Sequence, residues 1–158
     1  MSFQKAHQIS NELAEVVVST ALSLAATGTS NVPFPMQPAV SGKSFRVLEI
    51  GFTVSESDSV AGTDKIDVGI STDNDKFIDR NEANNCIIPS NPTVGATFST
   101  AKGGASTWTF HDDGVDTDGN VVLERGQVLT YSHTQTANAS AGILFVRLAP
   151  IISKDVFE

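Results

Sequence analysis

An all-β fold, two packed antiparallel sheets, is predicted by three features of this 158-residue chain. Its longest patterned stretches alternate apolar and polar residues with a period of two, the spacing of a half-buried strand. Gly, Asn, Asp and Pro punctuate the chain between those stretches, as turns require. No strong amphipathic helix stands between them to act as the crossover that parallel strands need.

The first strand is read from Ala14. Ala14, Val16, Val18, Thr20, Leu22 and Leu24 form one set, and Glu15, Val17, Ser19, Ala21, Ser23 and Ala25 form the other. "RVLEIGFTV" repeats the pattern, with Leu48, Ile50, Phe52 and Val54 on one side and Val47, Glu49, Gly51 and Thr53 on the other. "KIDVGIS" follows it through Ile66, Val68 and Ile70. Further strands are expected at "ATFST", "STWTFH", "NVVLE", "QVLTYSH" and "GILFVRLAP", about eight in all, in a jelly-roll-like β-sandwich. Helix is expected only at "SFQKAHQISNELAEV" and "FIDRNEANN". "GTSNVPFPMQPAVSGK", with three of the six prolines, reads as an edge segment or long loop because Pro cannot donate to a ladder.

A chain of this length suits one domain that buries about 70% of the surface its unfolded form exposes. The divisions expected are an extended N-terminal arm (1–12), the sandwich (13–152) and a C-terminal tail (153–158). Cys86 is the sole cysteine and is read as a small buried residue, since "NNCIIPS" has no cation to activate a thiolate. The net charge of -8, with Lys and Arg scattered singly, argues against nucleic acid and anionic membrane as partners. "AEVVVSTALSLAAT" carries Glu where a signal peptide needs a basic flank, and no stretch has the length of a membrane span.

"HDDGVDTDGN", residues 111–120, packs four aspartates and a histidine into ten positions. With Gly119 at position six of a calcium loop, Asp116 and Asp118 fall on three and five, but Gly114 and Arg125 occupy the places of the first and last ligands. "STDNDKFIDRNE" fails likewise, with Phe77 and Ile78 where a ligand and a glycine belong. Asp-Gly between two strands signals a tight hairpin, so residues 112–120 are expected to be a solvated turn without metal.

No catalytic site is expected. His7, His111 and His133 lie in no nucleophile or zinc setting, although His111 and His133 could meet across strands. Asp64, Asp67, Asp73, Asp75 and Asp79 supply carboxylates of the kind glycoside hydrolysis uses, but strand and loop positions account for them. "AKGGAST" lacks the following helix and the GK[ST] of a phosphate loop. Trp108, alternating with Phe110, is placed in the core, and no cofactor is implied. Asn138 opens a glycosylation sequon, which matters only in a secreted chain.

The order "ATGTSNVPFPM", "FRVLEIGFTVSES", "DKIDVGIS" and "VLERGQVLTYSHTQTANASAGILFVRLAPI" resembles the jelly-roll decoration (cement) and related head or tail structural proteins of tailed bacteriophages. The resemblance lies in pattern and layout over most of residues 13–152, and strongest in the last block. It implies a non-enzymatic virion protein, made in the host cytoplasm, that docks on the outer capsid surface. Its partner would be the major capsid protein, and its copies would form a trimer near local three-fold axes that stabilises the expanded shell.

On that reading the anchors are Phe3, Lys5 and Ile9 of the arm, with Val156 and Phe157 of the tail as a second set. A fibre, knob or baseplate domain that binds a host receptor or glycan is the alternative. Exposed aromatics in a groove, or calcium in the aspartate-rich loops, would favour it.

Overall fold

The computed structural model describes residues 14–25, 28–58, 64–81, 86–101, 108–134 and 140–152. Ten strands lie among them: β1 (Val16–Ser23), β2 (Thr29–Pro33), β3 (Phe45–Glu56), β4 (Asp64–Ile70), β5 (Asp73–Ile78), β6 (Ile87–Ile88), β7 (Thr97–Ser99), β8 (Val122–Leu123), β9 (Leu129–Thr134) and β10 (Ala141–Pro150). There is no α-helix among the described residues; Pro38–Ser41 and Asp112–Gly114 form single 3-10 turns.

Two five-stranded antiparallel sheets pack face to face. Sheet I runs β1-β10-β3-β7 with β8 also on β3, and sheet II runs β2-β9-β4-β5 with β6 also on β4. β1 to β4 alternate between the sheets and the later strands return in reverse order, so β1 pairs with β10, β2 with β9, β3 with β7 and β8, and β4 with β5 and β6. That nesting is a long hairpin rolled up on itself, the jelly-roll connection. The expected eight strands become ten because "STWTFH" is not one, whereas β2, β5 and β6 form in stretches read as loop, helix or connection.

The core lies between the sheets. Val18, Leu22, Ile50, Phe52, Val54, Leu144, Val146 and Leu148 come from sheet I, and Ile66, Val68, Ile70, Leu129 and Tyr131 from sheet II. Phe34 meets Tyr131 edge to face, with ring centroids 5.2 Å apart. Trp108 is buried as expected, and its indole N–H donates to the Ile87 carbonyl at 3.3 Å. Cys86 is buried too, at a left-handed φ of 52° that no sequence pattern foretold.

Three local expectations are corrected. In β3, Phe45 and Val47 face inward together with Ile50, Phe52 and Val54, whereas Leu48 is only half-buried. A register shift between Arg147 and Leu148 of β10 inserts one extra residue opposite, and a bulge of this kind reverses the alternation across it. "FIDRNEANN" does not open as a helix: Phe77 and Ile78 end strand β5, pinned by the core, and residues 82–85 lie outside the described ones. "STWTFH" is not a strand over Trp108–His111, although Trp108 N–H still donates to Ser99 and His111 N–H to Phe77.

Candidate interaction surface

The two sheets differ in what covers their outer faces. On sheet II, Asp67 opposes Ser132 and Gly69 opposes Thr130. Asp67, Ser132 and Thr130 are all buried, so the middle of this face is closed by the chain itself. Asn31 and the segment after β5 do part of the covering: Asn31 N–H donates to Ser132 Oγ, and Arg80 N–H donates to Asp67 Oδ1 at 2.7 Å. Sheet I is less covered among the described residues: Ser19, Ala21 and Ile143 on its outer face are exposed, whereas Gly51 and Ser99 towards β7 are buried, and the exposed part is the candidate site.

Register builds it row by row. Ala21, Ile143, Thr53 and Thr97 stand side by side across the four strands, and the next row is Ser19, Phe145, Gly51 and Ser99. These rows carry no charge, although the chain as a whole stands at -8. Ile143 is 41% exposed, and Thr53 and Thr97 join hydroxyls at 2.9 Å. Phe145 is half-buried, and its ring comes so close to Gly51 that a side chain there would collide with it.

Charge returns at one end. The row of Val17, Arg147 and Glu49 places the Arg147 guanidinium between Glu49, at 2.8 Å, and Glu15, at 3.3 Å. The hydrogen bond to Glu49, aided by the charge of Glu15, pushes Arg147 above its ordinary pKa. A cluster this exposed adds little stability; its one positive charge offsets one of the two carboxylates that border the uncharged rows. Beyond it, Arg46, Leu48, Ala149, Pro150, Ile151 and Ile152 line a groove of about 320 Å³.

The anchor residues expected from sequence, Phe3, Lys5, Ile9, Val156 and Phe157, lie outside the described residues, as do His7 and Asn138. Residues 102–107 of "AKGGAST" lie outside them too. "HDDGVDTDGN" is a turn. Val115 bridges Val121, Asp116 Oδ1 accepts N–H bonds from Asp118 and Asn120, and Gly119 takes a φ of 79°. His111 and His133 are not neighbours in the ladder, because His133 pairs with Thr29 and Ile66, whereas His111 joins Phe77 of β5 on the far side of β4.

The carboxylates of β4 and β5 part company as well. Asp67 is buried and binds Arg80, its Oδ2 at 3.1 Å from Nε; burial nevertheless raises its pKa to about 6. Asp73 is also raised, by partial burial and by sharing a hydrogen bond with Asp75. Among the described residues no group of three or more His, Cys, Asp or Glu side chains could hold a metal. Burial pushes the Cys86 thiol up to about 12, so it is inert as a nucleophile.

Sequence reasoning missed two features here. The Asp67–Arg80 pair spans a hairpin, and its only trace is an aspartate inside an otherwise apolar run. The Phe145–Gly51 contact left only a glycine in mid-strand, itself a mark of close approach. Comparison with known protein families, with curated proteins and with solved structures finds no match for this chain.

Proposed function

We propose that this chain is a virion structural protein, a decoration or cement protein that binds the outer surface of a tailed-phage capsid and stabilises the expanded shell. The observation that carries the reading is the outer face of sheet I, whose central rows are uncharged, built of Ser, Thr, Ala, Gly, Ile and Phe, and exposed at Ser19, Ala21 and Ile143 among the described residues. A flat neutral face on an acidic chain suits a large protein surface better than a small ligand or a nucleic acid. The resemblance in strand layout supplies the choice of partner, the major capsid protein, together with copies of the chain grouped about local three-fold axes.

No reaction is required. Each copy adds buried area across a seam between capsomers, and binding that exists only in the expanded lattice stabilises that lattice by mass action.

The test is co-sedimentation of the purified protein with unexpanded and expanded heads of the phage that encodes it, using wild type and Ile143→Asp. Wild type should sediment with expanded heads alone, and Ile143→Asp should lose binding about tenfold or more. Sedimentation with neither head form would overturn the proposal, and binding to host envelope instead would favour the receptor-binding alternative. Deleting residues 1–10 tests the arm separately: attachment should be lost with the fold intact.

A further inference from the structure

The edges of a sheet, unlike its faces, present unpaired N–H and C=O groups to any strand that fits them, and folded proteins usually protect them. Three of the four edges here carry such protection. β2 is broken by a register shift, by Asn31 at a φ of 57° and by Pro33. β5 opens on Asp73, Asn74, Asp75 and Lys76 and is shifted against β4, and β6, β7 and β8 are two or three residues long.

β1 is the exception. It forms an outer edge of sheet I, and among the described residues no strand pairs with its far side. Its eight residues, "VVVSTALS", contain no charge and no proline, and their pairing with β10 runs without a shift from Val16 to Ser23. Val17 is 54% exposed. Glu15, the carboxylate bordering the strand, is engaged by Arg147 at 3.3 Å.

We propose that β1 pairs with β1 of a second copy, antiparallel about a two-fold axis at Thr20, joining the two copies of sheet I into one continuous sheet. Charge selects the occupant. Two chains of net charge -8 repel each other, and this uncharged edge lets them meet without opposing carboxylates.

The strand is also self-complementary, as a two-fold contact demands. With Thr20 opposite itself, Val18 falls opposite Leu22 of the other copy and extends the buried face. Ser19 falls opposite Ala21 on the outer face, small against small. The proposal concerns the free protein and does not rest on the capsid reading, whose trimer it replaces in solution by a two-fold pair.

The experiment is solution mass by light scattering over a concentration series, on wild type and two charge variants. Ser19 and Ala21 are exposed in the single chain, so both variants should fold, and unchanged thermal melts check that they do. Wild type should weigh twice the 16.7 kDa of one chain. Ser19→Glu/Ala21→Glu and Ser19→Lys/Ala21→Lys should each be monomers, because like charges then oppose across the axis. An equimolar mixture should restore the double mass.

Thr20→Cys reads the register directly. Cys86 is buried, and directly opposed residues of antiparallel strands lie within disulfide reach, so oxidation should link most chains in pairs. A monomeric or trimeric wild type would overturn the pairing. So would a dimer that survives the Glu variant, a mixture that stays apart, or Thr20→Cys chains that do not crosslink.

Discussion

The ring of Phe145 lies across Gly51 on the outer face of sheet I: a Cβ at position 51 would stand 2.6 Å from Phe145 Cζ and 2.7 Å from Ser99 Cβ. The phenyl group thereby covers backbone of its neighbour strand. Gly51→Ala should lift the ring and cost about 1–3 kcal/mol, as overpacking does. The check is a double-mutant cycle by urea denaturation: with Phe145→Ala in place, Gly51→Ala should cost less. Equal costs in both backgrounds would mean that the ring is not what fills the space.

Gly142 on the same strand is predicted to be less forgiving. A Cβ there would run into the Thr53 carbonyl oxygen and the Phe52 ring, and backbone cannot retreat as the half-buried Phe145 ring can. Gly142→Ala should therefore exceed the cost of Gly51→Ala, at about 3 kcal/mol or more. Denaturant midpoints of the two variants decide the order.

Asp67 ties acidity to stability. Its folded pKa is raised from 3.8 to about 6, first by burial and against the opposing pull of Arg80. Between those values the folded chain holds a proton that the unfolded chain has lost. The contribution of Asp67 is therefore most favourable below 3.8 and is lost as pH rises through 6, on the order of 3 kcal/mol in all. Asp67→Asn cannot titrate, so the stability difference, wild type minus variant, should fall between pH 4 and pH 7. A flat difference would show that the carboxylate is not desolvated in solution.

The acidic turn makes its own prediction. Asp116 Oδ1 accepts from Asp118 N–H at 2.9 Å and Asn120 N–H at 2.7 Å, so Asp116→Ala should cost about 1–2 kcal/mol by leaving the turn unclosed. Calcium and chelator should give the same melting temperature for wild type, because the aspartate is committed to the backbone. A calcium-dependent rise would return this loop to the candidate metal sites.

The alternation in β1, the glycine, proline and asparagine breaks and the lack of helical periodicity are local properties of the chain, so seven of the ten strands, the turn at Asp116 to Asn120 and the burial of Trp108 were legible without coordinates, whereas β2, β5 and β6 were not. So was the outward set of β1, including Val17, Ser19 and Ala21. Other features depend on partners distant in sequence. The inversion of Val47 and Leu48 arises from the register shift at Arg147 and Leu148, on another strand. The buried state of Asp67 arises in part from Arg80 folding back over it. Periodicity says that a strand has two faces, but which face stays open is decided by what else the chain lays over it. The covering of sheet II by Asn31 and Arg80 and the alignment of Ala21, Ile143 and Thr53 in one neutral row follow from long-range contacts that no local pattern encodes.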